Sequence, residues 1–209
     1  MDFDKANLYI EDLYKNQDKI TKEEFISKTK LKKFIPVIDD DTARFLKLII
    51  TALRPKRILE IGTSIGYSTT SMAEMVNEYG GKITTIEYDE KVAEQAKLNF
   101  KNAGVSQCIE LKFGDALKII PELHEEYDLI FQDVDKRLYP VLFESCVRIL
   151  KKGGILIADD ALFPVLDLDE KWKNLTEPMK EFNKLVADSD EVYSTLLPIG
   201  DGIIAAVKK

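Results

Sequence analysis

The chain has 209 residues, of which 45% are hydrophobic, and a net charge of -7. This length and apolar content suit one globular domain with a full core and argue against a disordered chain. The negative charge gives no electrostatic basis for non-specific nucleic-acid binding, although it leaves room for a local basic face.

The first 54 residues predict a helical layer. Apolar positions recur with helical spacing over residues 3–15, in an acidic, amphipathic segment that lacks the features of a signal peptide. A short helix is expected after Thr21, which with Glu24 resembles a capping box. The stretch DDDTARFLKLIITALRP predicts a third helix that stops at Pro55. These helices could form either a homodimer surface or an intramolecular cap.

From residue 55 onward, predicted strands and helices alternate. The strands, in chain order, are RILEIG, KITTIEYD, CIELKFGD, YDLIFQD, ILIADDAL, VYSTLLPI and GIIAAVKK. The helices between them are YSTTSMAEMVNEYG, EKVAEQAKLNFKNAG, ALKIIPEL, RLYPVLFESCVRILKKGG and EPMKEFNKLVADS. This order predicts an α/β fold with a Rossmann-like, doubly wound, mostly parallel seven-stranded sheet. The tight turn GDG between the last two strands requires one of them to run antiparallel.

We therefore expect a single domain over residues 1–209, with residues 1–54 as the N-terminal helical layer and residues 55–209 as the α/β core. Cys108 and Cys146 lie far apart and without metal-like spacing, which predicts reduced thiols in a cytoplasmic protein. No apolar run approaches the roughly 20 residues that cross a bilayer, so no membrane association is expected.

The stretch GTSIG, residues 62–66, has more than one interpretation. It matches the G-x-S-x-G pattern in which Ser64 would be a nucleophile, but that reading needs a histidine late in the chain. The single histidine, His124, comes before the next predicted strand. The spacing of Gly62 and Gly66 also departs from the G-x-G-x-x-G of dinucleotide loops, and a single adenosine-type cofactor fits it better.

Acidic residues follow several predicted strands. Glu87 ends the second strand, where a carboxylate can bind both hydroxyls of a ribose, and Asp115 with Ala116 follows the third. Glu87 could instead be a solvated charge at a strand end.

Three further carboxylates, Asp133, Asp159 and Asp160, follow the fourth and fifth strands. If they converge, their mutual repulsion requires a cation or bound protons. Oxygen ligands would suit magnesium, calcium or manganese. The alternative from spacing alone is that Asp133 and Asp160 cap helices.

The order and spacing of IGTSIGYS, TTIEYD, GDA, FQDVDK, IADD and LLPIGDGIIAAVKK resemble the class I S-adenosylmethionine-dependent methyltransferases. The closest resemblance, from about Pro36 to the end, is to the cation-dependent O-methyltransferases that include catechol and caffeoyl-CoA O-methyltransferases and their bacterial relatives. It implies an S-adenosylmethionine cofactor contacted by Gly62, Thr63, Gly66, Ser68, Glu87, Asp115, Ala116 and Asp133.

The same resemblance implies a divalent cation, Mg²⁺ first with Mn²⁺ or Ca²⁺ as alternatives, held by Asp133, Asp159 and Asp160. Asp160 departs from the family, which usually has asparagine there. Lys136 corresponds to a lysine that acts as general base, and we expect the metal and burial to lower its pKa toward neutrality.

The implied reaction is metal-assisted methyl transfer to an acidic hydroxyl of a small, catechol-like dihydroxy-aromatic, in a protein that is commonly a homodimer. We expect the acceptor pocket to involve the segment LKKFIPVIDD and the loop after Asp160, with Phe163, Leu166, Leu168 and Trp172 as stacking candidates. An alternative function is methylation of 5-hydroxyuridine in tRNA, which some bacterial members of the resembled family carry out. RNA binding would need a basic face, and the candidate is KTKLKKF with Arg137, Lys151 and Lys152. A catalytically weak S-adenosylmethionine-binding protein is a third hypothesis.

Overall fold

The computed structural model describes residues 3–16 and 20–209, and its centre is a seven-stranded sheet. The strands are β1 (Arg57–Ile61), β2 (Lys82–Glu87), β3 (Ile109–Phe113), β4 (Tyr127–Gln132), β5 (Leu150–Ala158), β6 (Val192–Leu197) and β7 (Ile203–Lys208). They lie in the order β3-β2-β1-β4-β5-β7-β6. β1 to β5 are parallel, whereas β7 is antiparallel to both β5 and β6. The predicted mostly parallel sheet with an antiparallel C-terminal strand is confirmed.

Eight α-helices are present in the described part of the chain. They are α1 (Phe3–Tyr14), α2 (Lys22–Ser27), α3 (Asp40–Leu53), α4 (Tyr67–Asn77), α5 (Glu90–Asn102), α6 (Ala116–Ile119), α7 (Tyr139–Ile149) and α8 (Thr176–Asp188). Two separate apolar clusters cover the two faces of the sheet. One contains residues of α3, α4 and α5, and the other contains residues of α7 and α8. The sheet is therefore doubly wound, and none of the helices described is long and apolar enough to cross a membrane.

The N-terminal helices pack on the first of these faces. Thr21 and Glu24 form the predicted capping box at the start of α2. Phe25 of α2 packs against the ring of Tyr67, with 5.2 Å between ring centroids, and the Tyr67 hydroxyl donates to Asp40 at 2.5 Å. Tyr67 thus belongs to the core that joins the N-terminal layer to the sheet.

One predicted boundary is wrong. The sequence predicts that LKKGG ends a helix, but α7 ends at Ile149 and residues 150–154 form the start of β5. Two consecutive glycines disfavour a helix, and Gly153 has a φ of 77°. The register between β4 and β5 also shifts between Tyr127 and Leu129, so this part of β5 is an irregular strand.

The strand order locates the candidate site. Because β1 to β5 are parallel, their carboxyl ends share one edge of the sheet. The order reverses between β1 and β4, which are neighbours although they are not consecutive in the chain. Ligands of such sheets bind outside the carboxyl ends of the strands at this point of reversal. The loop after β1 and the residues after β4 flank it.

Candidate active site

The loop between β1 and α4 is fixed by the protein's own backbone. The amides of Gly62 and Thr63 both donate to the Ile86 carbonyl, at 3.1 and 3.2 Å. Gly62 has a φ of 101°, and a Cβ at this position would lie 1.9 Å from the carbonyl oxygen of Asp133. The loop after β1 therefore touches the residue that follows β4, and only glycine fits there.

Gly66 is required for a similar reason. It has a φ of 88°, and a Cβ would lie 2.4 Å from the ring of Phe100 in α5. The close approaches that the structure shows at the two loop glycines are thus to the protein itself. Their predicted close approach to a cofactor stays a prediction.

Ser64 does not have the surroundings of a nucleophile. Its hydroxyl donates to the Ile35 carbonyl at 2.9 Å, and its amide donates to Glu87 at 2.8 Å. His124 lies just before β4, at the amino edge of the sheet, whereas Ser64 lies at the carboxyl edge. The two residues are on opposite edges, so the nucleophile-elbow alternative has no histidine partner.

Glu87, Asp115 and Ala116 lie side by side at the ends of β2 and β3. The Glu87 carboxylate also accepts from the amide of Asp89 at 2.9 Å, and the Glu87 carbonyl accepts from Gly114 at 2.8 Å. Burial raises the pKa of Glu87 above its ordinary value, although the backbone donors oppose this. Asp115 caps α6, and Ala116 is buried. The predicted ribose-binding and adenine-side residues are therefore neighbours.

A buried carboxylate lies beneath the loop. Glu60 of β1 is fully buried and accepts hydrogen bonds from the hydroxyls of Ser68 at 2.5 Å, of Thr69, and of Thr85 at 2.5 Å. Thr85 in turn shares a 2.6 Å hydrogen bond with Thr63. Burial raises the pKa of Glu60 to about 7, against the effect of its three hydroxyl donors. Glu60 is not among the residues predicted from the sequence. Its signal there is an acid inside the apolar strand RILEIG, close to the hydroxyl-rich stretch YSTTS.

The carboxylates after β4 and β5 converge around one lysine. The Lys136 ammonium contacts Asp133 Oδ1 at 2.7 Å and Asp160 Oδ2 at 2.6 Å, and it donates to the Tyr139 hydroxyl at 3.1 Å. Asp159 is buried, and its Oδ1 has no hydrogen-bond partner among the described residues. The structure thus brings together all four residues that were predicted for the metal and the base. It adds Tyr139, which sequence analysis did not single out.

The charged groups in this cluster shift one another's pKa values. Burial raises the pKa of Asp159 well above its ordinary value, and the charges of Asp160 and Asp133 add to this. Burial also raises the pKa of Asp160 to about 6, with Lys136 opposing the shift. For Lys136, burial alone would lower the pKa of the ammonium, but Asp133, Tyr139 and Asp160 more than offset it and hold that pKa well above the ordinary value. The expected lowering toward neutrality is therefore absent from this arrangement of side chains.

The helix-capping alternative for these aspartates does not hold. Asp135 caps the short 3-10 turn after β4, and Leu162 precedes the turn after β5, so neither Asp133 nor Asp160 occupies a cap position. Asp160 has a φ of 61°. Aspartate and asparagine are the side chains that tolerate this left-handed conformation, which explains how either one can occupy this position.

The donor chemistry of the cluster fits a hard divalent cation. Two carboxylates, those of Asp133 and Asp160, pair with the Lys136 ammonium, and the Oδ1 of the buried Asp159 has no partner in the part of the chain that is described. Within residues 3–16 and 20–209, however, no group of three or more acidic, histidine or cysteine side chains is already arranged to hold a metal ion. Lys136 instead joins Asp133 to Asp160.

The predicted acceptor segments lie above this edge. The contact between Ser64 and the Ile35 carbonyl places the segment before α3 over the glycine loop. After Asp160, the amide of Leu162 donates to the Asp201 carbonyl at 2.9 Å, so the GDG turn anchors this loop. Phe163 is buried in the core and is unavailable for stacking, whereas Leu166 is partly exposed.

Trp172 is half-buried and begins a short 3-10 turn, with the ammonium of Lys171 5.1 Å from its ring centroid. A cavity of about 580 Å³ lies elsewhere, among α1, α3, α4 and the segment of Pro198, Ile199 and Gly200. It shares no lining residue with the glycine loop or the acidic cluster.

The candidate basic face is only partly positive. Lys28, Lys32 and Lys33 are exposed. Arg137, however, is paired with Asp135, and Lys151 contacts Asp128 at 2.7 Å. These ion pairs weaken the positive potential that RNA binding would need.

Comparison with known proteins gives consistent results. A family model described as O-methyltransferase matches residues 13–209. A catechol O-methyltransferase from Niastella koreensis is 34% identical over 185 residues, covering 82% of each chain. A caffeoyl-CoA O-methyltransferase from Populus kitakamiensis is 31% identical, covering 78% of this chain and 74% of its own length.

Among solved structures, an O-methyltransferase from Bacillus cereus in complex with SAH has a TM-score of 0.79 at 27% identity. The match covers 98% of this chain and 97% of that one. An SAH-bound methyltransferase from Podospora anserina has a TM-score of 0.88, covering 100% of this chain and 97% of that one. Its identity is 24%, so this second likeness bears on the fold alone.

Proposed function

The chain belongs to the O-methyltransferase family, and on that premise we propose that it transfers the methyl group of S-adenosylmethionine to an acidic hydroxyl of a small dihydroxy-aromatic acceptor, assisted by a divalent cation. One observation carries the proposal. The loop at Gly62 lies directly against Asp133, which belongs to the cluster of Asp159, Asp160 and Lys136. The glycine loop, which we propose holds the cofactor, and the acidic cluster thus meet at the point where the strand order reverses.

On the cofactor side, Glu87 would bind the ribose, and Asp115 with Ala116 would lie beside the adenine. Ser68 would donate to the methionine carboxylate of the cofactor. The cofactor would also contact Gly62, Thr63 and Gly66 of the loop after β1, and Asp133, the residue that follows β4. The side-by-side placement of the ends of β1, β2, β3 and β4 supports this assignment, since one extended ligand can reach all of them.

On the acceptor side, Asp133, Asp159 and Asp160 would hold the cation, with Mg²⁺ preferred and Mn²⁺ or Ca²⁺ as alternatives. When bound, the cation would acidify the acceptor hydroxyl and hold both oxygens of a vicinal diol. Asp160 adds a negative charge at a position where the cation-dependent O-methyltransferases usually have an asparagine. That charge favours tight cation binding.

Lys136 is the proposed general base. It can accept a proton only after it has lost its own and its Nζ has left Asp133 and Asp160, because both carboxylates stabilise the ammonium. The acceptor oxygen then attacks the methyl carbon in line, the bond from that carbon to sulfur breaks, and the hydroxyl proton passes to Lys136. The buried surroundings of Lys136 exclude water from this step.

The first experiment supplies S-adenosylmethionine with a labelled methyl group, Mg²⁺ and a panel of catechol-type compounds, with and without EDTA. We expect label in the catechols and little transfer once EDTA removes the cation. A parallel reaction with cell extract, divided and treated with ribonuclease, tests the alternative acceptor. Label that ribonuclease releases would replace the small aromatic acceptor with RNA.

Binding of the cofactor without any methyl transfer would instead favour the hypothesis of a catalytically weak S-adenosylmethionine-binding protein.

The homodimer also stays a prediction. Its candidate surface is the exposed apolar set on α1 and α3, which includes Leu8, Leu13 and Leu48. Light scattering of the purified protein would decide it.

A further inference from the structure

The two oxygens of the buried Glu60 carboxylate have different partners. Oε1 accepts from Ser68 alone, at 2.5 Å. Oε2 accepts from both Thr69 and Thr85. A proton on Oε1 therefore requires only the Ser68 hydroxyl to reorient, whereas a proton on Oε2 would disturb two donors.

Ser68 has a single hydroxyl hydrogen. While Glu60 is ionised, that hydrogen points at Oε1, and the Ser68 oxygen offers only lone pairs to any other group. The proposed function asks the same hydroxyl to donate to the methionine carboxylate of the cofactor. Two carboxylates then compete for one hydrogen, and both cannot receive it.

We propose that Glu60 is a positioning residue that takes up one proton when the cofactor binds, so that its Oε1–H donates to Ser68 Oγ and the Ser68 hydroxyl turns to the cofactor carboxylate. This inference rests on the proposed contact between Ser68 and the cofactor. Thr69 and Thr85 keep their hydrogen bonds to Oε2 in both states. No hydrogen bond of the network is lost when the proton arrives.

The surroundings of Glu60 favour proton uptake. α4 presents the hydroxyls of Ser68 and Thr69, and β2 presents that of Thr85, so these neighbours bring no compensating charge. On the β4 side, Phe131 lies in register with Glu60, and the charge of Asp133 disfavours a second carboxylate. Burial, the largest cause, raises the pKa of Glu60 to about 7, so protonation costs little near neutral pH.

The first test uses the unmodified protein. S-adenosylhomocysteine is titrated in EDTA by calorimetry, in pairs of buffers with equal pH and different ionisation enthalpies. We expect uptake of about one proton per ligand bound at pH 8, and of nearly none at pH 5.5, where Glu60 is already protonated. An equal proton count at both pH values would overturn the inference.

The matched variant is Glu60→Gln, whose amide can donate to Ser68 while its carbonyl oxygen accepts from Thr69 and Thr85. Relative to this variant, the wild-type affinity should fall about tenfold or more between pH 6.5 and pH 8.5, because only the protonated form binds well. The ligand's own amino group titrates equally in both experiments, so the ratio isolates Glu60. A constant ratio would contradict the inference.

Ser68→Ala separates this inference from the proposed function. If it binds S-adenosylhomocysteine as tightly as wild type, the proposed contact of Ser68 is wrong and the proton linkage falls with it. If it binds weakly while wild type takes up no proton, the contact stands and the linkage alone is wrong. Thermal unfolding checks that each variant is folded, and the wild-type proton count decides the matter if Glu60→Gln does not fold.

Discussion

The two halves of the site differ in how their buried carboxylates are compensated. Beneath the glycine loop, Glu60 accepts hydrogen bonds from three hydroxyls, all supplied by neighbouring elements. At the ends of β4 and β5, Asp159 Oδ1 has no partner in the described structure, and the Lys136 ammonium pairs with two other carboxylates, those of Asp133 and Asp160. In the loop half both oxygens of the buried carboxylate have hydrogen-bond donors, whereas the acidic half still has negative charge that a ligand could neutralise.

This difference agrees with the two functions that we propose for the halves, cofactor binding and cation binding. A loop that must fit a cofactor benefits from rigid support, since preorganised groups lose little entropy on binding. The cation site that we propose needs uncompensated oxygens, and such a cluster is destabilising until a cation binds. Substitutions that disturb the packing of the loop should therefore act mainly on folding, and those in the acidic half mainly on activity and, at Asp160, on the pH dependence of stability.

The largest effect is expected for Gly62→Ala. The added Cβ would overlap the Asp133 carbonyl, and the φ of 101° is strained for alanine, so the free energy of unfolding should fall by more than about 3 kcal/mol. Urea unfolding followed by circular dichroism measures it. Gly153→Ala is the matched control, because its φ of 77° is also positive but no atom lies within 4 Å of the added Cβ. Equal losses would show that backbone strain, and not contact with Asp133, fixes the loop.

Next in size is the effect of Lys136→Ala on turnover. If Lys136 is the general base that we propose, its loss should lower kcat by about 10²- to 10⁴-fold, whereas cofactor affinity should change less than about twofold. Labelled-methyl transfer and calorimetry measure the two quantities. Lys151→Ala, at a lysine that pairs with Asp128 away from the cluster, should leave both unchanged. Undiminished turnover in Lys136→Ala would exclude it as the base.

Asp160→Asn should change how stability depends on pH in EDTA. The folded-state pKa of Asp160 is raised from 3.8 to about 6, so the folded protein holds more protons than the unfolded chain between these values. Stability is therefore present at low pH and is lost as the pH rises through this window. Removing the carboxylate should stabilise the protein, and the gain should grow by up to about 2 kcal/mol from pH 4.5 to pH 7.

Chemical unfolding at both pH values measures this gain. A gain that did not change with pH would mean that Asp160 is already fully compensated, and the contrast between the two halves would then weaken. Asp167→Asn, in the exposed part of the same loop, serves as the control for removing an acidic side chain without burial.

The smallest effect is expected for Thr85→Val, which keeps the side-chain shape but removes one donor to Glu60 and the partner of Thr63. The free energy of unfolding should fall by about 1 kcal/mol, since a buried hydrogen-bonding group loses its partner. Thr195→Val, at an exposed position of β6, controls for the altered residue type. Indistinguishable unfolding curves for the two variants would show that the Glu60 network adds no stability.

Much of the fold could be predicted because it rests on local patterns. The apolar strands and amphipathic helices alternate clearly after residue 55, and Thr21 with Glu24 forms the predicted capping box. The exception, LKKGG, failed because a run of two lysines and two glycines has no clear period. Pairing with β4 made it a strand, and pairing is not a local property.

For the candidate site, the sequence was enough to predict which residues come together, but not their pKa values or hydrogen-bond partners. The sequence placed Asp133, Asp159 and Asp160 at strand ends and Lys136 three residues after Asp133, and the structure brings the four together. The raised pKa of Lys136 was not foreseen, because it depends on which carboxylates the folded chain places around the ammonium. Glu60 was missed because a single acid in an apolar strand does not identify its donors.

Three features could be predicted from the amino-acid sequence alone: the alternating α/β order, the glycine loop after the first strand and the acids at the strand ends. Each of these depends on near neighbours in the chain. Tertiary structure decided that β1 lies between β2 and β4. That order sets Gly62 against Asp133 and surrounds Glu60 with hydroxyls from α4 and β2. Burial and charge act through space, so the pKa values and the free hydrogen-bonding capacity of these groups follow from the packing of strands and helices that are distant in sequence.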